Sequence, residues 1–101
     1  MEQKGKPMIL LHIEHTVFNF EAWKAAFDSD PVGRQRSGVR SYRVLRPVDD
    51  PNYAIIDLEF DTLNQAEALL AAMQQVWSRV GGVLMQNPQW RLAEVVETRA
   101  Y

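Results

Sequence analysis

Cysteine is absent from this 101-residue chain, which removes disulfides, thiolate metal sites and thiol nucleophiles at one stroke. Long hydrophobic runs are missing too. No stretch approaches the ~20 apolar residues of a membrane span. The opening MEQKGKPMILLHIEH has neither the apolar length nor the small-residue cleavage site of a signal peptide, so the chain is read as cytoplasmic. Charge of one sign is equally lacking: 11 lysines and arginines against 13 acids leave a net charge of −2, which argues against nucleic acid as a partner. Glycine and proline, five each, form no linker and no low-complexity segment. Residues 1–101 are therefore read as one domain, long enough to bury about two-thirds of the surface its unfolded form exposes.

What is present is unevenly placed. Arg34, Arg36, Arg40, Arg43 and Arg46 fall in a stretch without an acid. Asp57, Glu59 and Asp61 follow at period two and face the arginine strand if the two segments form a hairpin, so cross-strand pairing accounts for much of the basic cluster.

Periodicity supplies the elements. MILLHIEH, from Met8 to His15, alternates Ile9, Leu11 and Ile13 with Leu10, His12 and Glu14, as a strand does. Asn19 suits a helix cap and Glu21 its first turn, while Phe18 and Trp23 stand at the spacing of a hydrophobic staple. Phe20, Trp23 and Phe27 then recur as one apolar stripe, and Pro31 stops the helix near Asp30. After a connector, VRSYRVLR (39–46) reads as strand two, PVDDPN as a turn and YAIIDLEFD as strand three. Thr62 and Gln65 form a capping box for a second helix carrying Leu63, Ala66, Leu70, Met73, Trp77 and Val80, ended by Gly81 and Gly82. VLMQNPQ reads as irregular or as a short extra element, and WRLAEVVET from Trp90 as strand four. The order is βαββαβ, which predicts an α+β, ferredoxin-like domain.

The segment FNFEAWKAAFDSDPVGRQRSGVRSYRVLRPVDDPNYAIIDLEFDT resembles small bacterial proteins of the dimeric α/β-barrel superfamily, which includes antibiotic-biosynthesis-type monooxygenases and aromatic polyketide cyclases. Trp23, Phe27, Asp28, Asp30, Gly38, Arg46, Asp50, Pro51 and Trp77 carry the likeness, which runs over nearly the whole chain. The resemblance implies a four-stranded antiparallel sheet with two helices on one face, a homodimer formed through the other, open face, and a small ligand between sheet and helices. The chain departs from the monooxygenase pattern in its asparagine and tryptophan, for which Asn64, Asn87 and Trp77 are only loose counterparts. It also has no histidine in or after the second helix to serve as a haem ligand. No cofactor is expected.

Candidate site residues come from the same pattern. His12 and His15, an odd interval apart, point to opposite faces of a regular strand and share no metal ion unless a bulge near Thr16 turns His15 round, so no metal is expected. His12 and Glu14 fall on the open face as a polar network for the dimer. His15 falls on the helix side at the strand's end, where an imidazole can serve as general acid or base. If Arg46 stands opposite Tyr53, Arg43 faces Ile56 in the apolar layer and Tyr42 faces the dimer partner; a slip of one residue sends Arg43 to the dimer face beside Asp57. Trp23, Phe27, Met73 and Trp77 are core residues or the walls of a pocket for a flat, hydrophobic or aromatic ligand. No serine triad, phosphate-binding glycine loop or glycosidase carboxylate pair is recognisable. Two functions follow. One is a cofactor-independent monooxygenase or cyclase on an aromatic or polyketide-like substrate, with His15 and Arg43 catalytic and the four apolar residues binding substrate. The other is a non-catalytic dimeric ligand-binding or structural protein.

Overall fold

The computed structural model describes residues 7–101, in the order β1 (Ile9–Val17), α1 (Phe20–Asp28), β2 (Val39–Leu45), β3 (Tyr53–Phe60), α2 (Leu63–Val80) and β4 (Met85–Glu94). The strands form one antiparallel sheet in the order β2-β3-β1-β4. This is the ferredoxin-like α+β arrangement. Both central strands alternate without a break: every odd residue of β1 and every even residue of β3 is buried. Leu11, Ile13, Ile56, Leu58 and Phe60 thus build the floor of the core, and Trp23, Phe27, Ala66, Leu69 and Leu70 of the helices cover it.

The helix ends follow their expected chemistry. Asn19 Oδ1 accepts from the Ala22 amide at 2.9 Å and Thr62 Oγ1 from the Gln65 amide at 3.2 Å, each satisfying one orphan donor of a first turn. The return half of the expected capping box is not made. Gln65 Oε1 is buried without a partner, because its side chain lies over Gly38, where a Cβ would stand 2.7 Å from it. Gly38 has φ +102, which favours glycine there, while the Gln65 contact could be relieved by moving that side chain. The apolar stripe of α2 is shifted from the expected one: Leu63 is exposed, and Leu69 is buried in its stead.

Three expectations are corrected. Strand four starts at Met85 and ends at Glu94, whereas it was expected from Trp90. Its first half escapes the alternation rule because Asn87, with φ +60, and Pro88 both stand opposite His15 in a bulge, a place an edge strand allows for proline. Arg43 lies opposite Asp57, not Ile56, and so on the open face. Tyr42 moves the other way, opposite Leu58, to touch Phe27 on the helix side. The cause of both reversals is a second bulge, between Val39 and Ser41. One extra residue there slips the rest of β2 by one position and exchanges its faces.

Candidate functional site

A cavity of about 270 Å³ lies between the sheet and the two helices. It unites five of the six residues singled out from the sequence: His15 from β1, Trp23 and Phe27 from α1, Met73 and Trp77 from α2. Its walls are overwhelmingly apolar, with few polar groups, the usual make-up of a small-molecule site, and its volume stands just below the usual range, which favours a compact ligand.

His15 is the one histidine of this lining. It is 1 % exposed. Its Nδ1 lies 3.2 Å from the Thr16 carbonyl oxygen; a carbonyl only accepts, so Nδ1 carries the proton and Nε2 keeps its lone pair. Burial lowers the pKa of this histidine, against smaller opposing effects of backbone hydrogen bonds, and the imidazole is neutral at pH 7. The edge of Trp23 meets it, ring centres 5.4 Å apart. The bulge of β4 sits directly beside it, a common neighbour of functional side chains.

Arg43, expected in the same layer, is on the far side of the sheet, exposed, with Nη2 3.3 Å from Asp57 Oδ2. Two other cations line the cavity, Arg34 after α1 and Arg79 in the last turn of α2; Arg79 is exposed, whereas Arg34 is buried at 9 % exposure. The connector places Arg34. Asp30, with φ +56, turns the chain away from α1, and its Oδ1 accepts from the Arg34 amide at 2.9 Å. Nη1 of Arg34 donates to the Phe27 carbonyl at 2.7 Å, and the guanidinium carbon lies 3.9 Å from the centre of the Phe27 ring. Within the basic cluster, Arg34 was indistinguishable by sequence from its neighbours; the only available signal was its position just after the Asp-Pro-Val-Gly turn. Arg40 and Arg43 pair with Asp61 and Asp57, so the period-two acids do neutralise the arginine strand, Arg43 through the slipped register. Asn64 is exposed at the start of α2, away from the cavity lining.

The open face carries a chain of polar contacts. His12 Nδ1 lies 2.7 Å from Asp57 Oδ1 and Nε2 2.8 Å from Glu14 Oε2; Tyr53 donates to Glu14 Oε1 at 2.7 Å. Two carboxylate acceptors on one imidazole call for two N–H donors. Burial opposes the charged form and is the largest single effect, yet the hydrogen bonds and charges of Glu14 and Asp57 together outweigh it and raise the His12 pKa. Glu14 is lowered in turn, first by Tyr53 and then by His12. Among the described residues no three histidine, cysteine or carboxylate side chains are grouped to hold a metal, and no helix is long and apolar enough to cross a membrane.

Four antiparallel strands carrying two helices on one face define a ferredoxin-like protein, and solved structures of that class superimpose on the chain. SnoaB, a cofactor-independent oxygenase from Streptomyces nogalater, aligns with a TM-score of 0.75 and 14% identity over 92% of this chain and 97% of its own. A protein from Shewanella oneidensis aligns at 0.72 and 19% identity over 90% and 93%. A dimeric ferredoxin-like protein from an uncultured marine organism aligns at 0.66 and 12% identity over 93% and 100%. No family model and no curated protein matches the sequence.

Proposed function

We propose that the chain is a homodimer that binds a compact aromatic or polyketide-like molecule in the cavity under α1 and α2 and acts on it as a cofactor-independent monooxygenase or cyclase. The observation that carries this reading is His15: a buried, neutral imidazole whose tautomer is held by the Thr16 carbonyl, in the lining of an aromatic-walled cavity. Its Nε2 takes a proton from a methylene activated by a neighbouring carbonyl or ring. The imidazolium and the substrate anion arise together, so each offsets the other's desolvation. In oxygenation the anion is the reductant: CH₂ and O₂ give C=O and H₂O, with the electrons supplied by substrate. In cyclisation the same anion attacks a carbonyl carbon of its own chain. Trp23, Phe27, Met73 and Trp77 hold the flat substrate and keep water away. The homodimer is supported by the dimeric relative of the same fold and by the half-buried Leu10 and Ile55 on the open sheet face.

The test is exchange of the C1 methylene protons of 2-tetralone for deuterium, followed by NMR, with dioxygen uptake measured in parallel. Wild-type protein should accelerate exchange, and His15→Gln, which keeps an amide for the Thr16 carbonyl, should lose most of the acceleration at similar affinity. Uptake of dioxygen selects the oxygenase. Binding without exchange or uptake above the His15→Gln level selects the non-catalytic ligand-binding protein.

A further inference from the structure

We infer that Arg34 sets the ligand specificity of this cavity, selecting a compact aromatic carboxylic acid over its neutral analogue. The inference rests on reading the cavity as a ligand site. A guanidinium presents five N–H donors, and among the described residues that of Arg34 makes one hydrogen bond, from Nη1 to the Phe27 carbonyl. Asp30 forms an ion pair with it, Oδ1 3.5 Å from Nη1, a separation that leaves the N–H donors of the guanidinium without a short charge-assisted hydrogen bond, and the same Oδ1 accepts from the Arg34 amide. Among the described residues the one fully occluded, unpartnered polar side-chain atom is Gln65 Oε1. The remaining donors of Arg34 therefore open onto accessible space, which on one side is the cavity and on the other a shallow groove along Arg40 and Tyr42.

The aromatic residues set the order of groups along one wall. From His15 the contacts run to Trp23 at 5.4 Å, from Trp23 to Phe27, stacked at 5.3 Å, and from Phe27 to the Arg34 guanidinium at 3.9 Å. His15 and Arg34 thus flank a wall of two aromatic rings. A ligand of about two fused rings lies along that wall with its carboxylate on the free edge of Arg34 and its far end at His15. Bidentate contact with a planar carboxylate is the geometry a guanidinium favours. The stacking of Arg34 on Phe27 holds that edge in place before the ligand arrives, which lowers the entropy lost on binding.

Calorimetric titration with 2-naphthoate and with 2-naphthamide tests the inference. Wild-type protein should bind naphthoate about tenfold or more tightly than the amide, since one charge-assisted contact separates them. Arg34→Met should bring the two within about threefold while leaving the amide nearly unchanged, Arg34→Lys should keep part of the preference, and Arg43→Met should keep all of it. Because Arg34→Met also strips the Phe27 carbonyl of its donor, the ¹⁵N-resolved Arg34 Nε–H resonance of the wild type gives an independent reading: naphthoate should shift it and naphthamide should not. Equal binding of the two probes by wild type, a preference that survives Arg34→Met or disappears in Arg43→Met, or an unshifted Arg34 resonance overturns the role of Arg34 alone. Binding of neither probe overturns the cavity as a ligand site and this inference with it.

Discussion

His12 and His15 show how far one residue type diverges over three positions. Their pKa values move in opposite directions from the ordinary 6.5, and each shift is also a statement about stability. His12 binds its proton more tightly when folded, so its contribution is complete below 6.5 and is lost as pH rises through its raised folded value. His15 is held neutral by burial; its contribution is complete above 6.5 and is lost as pH falls through its lowered one. The urea midpoint measured between about pH 5 and 9 should therefore fall on both sides of a maximum. His12→Gln should flatten the alkaline side and His15→Gln the acid side. A single slope through both variants, unchanged from wild type, would contradict the opposed environments. Of these two residues, the faces were legible from alternation alone. The partners were not, because Asp57 and Tyr53 lie 45 and 39 positions away from His12 and Glu14 in the chain.

At the level of elements, two bulges decide what the periodic strands left open. The one in β2 moves Arg43 from the cavity side to the open face of the sheet. The one in β4 sets Asn87 and Pro88 against His15. Asn87 holds φ +60, a conformation that asparagine tolerates and β-branched residues resist. Replacing it by valine should cost roughly 1–3 kcal/mol in chemical denaturation, whereas glycine should change stability by less than about 0.5 kcal/mol. Catalysis or ligand binding should weaken in the valine variant, since a relaxed bulge shifts the strand beside His15. The helix caps make a plainer prediction. Asn19→Ala removes the acceptor for the Ala22 amide and should lower stability by about 1 kcal/mol.

For the whole molecule, the sheet has one face under helices and one open, and that open face mixes half-buried Leu10 and Ile55 with the contacts from Arg43 through Asp57, His12 and Glu14 to Tyr53. Such a face is too apolar for water and too charged for a helix-covered core, and pairing with a second copy satisfies both demands. Light scattering at micromolar concentration should give the mass of a dimer. Arg43→Glu places a second acid against Asp57 and should raise the dimer dissociation constant by about tenfold, roughly what one like-charge contact at an interface exacts. A monomer at that concentration, or a dimer indifferent to Arg43→Glu, would move the interface elsewhere.

Alternation and helical spacing determined the order of elements, the caps at Asn19 and Thr62, and the gathering of His15, Trp23, Phe27, Met73 and Trp77 under the helices. These are consequences of which side of a strand or helix a residue occupies, and that is written in period two and period 3.6. Register, bulges and partner choice belonged to the tertiary structure. Whether Arg43 or Arg34 enters the cavity depends on one inserted residue near Arg40 and on a left-handed Asp30: the first is settled across the sheet, where Arg43 gains Asp57 from the neighbouring strand, and the second within the connector, where Arg34 gains the ring and carbonyl of Phe27 seven residues back. Five arginines look alike in a line of sequence, and only the fold gives one of them a buried ring to lie on and a place in the cavity lining.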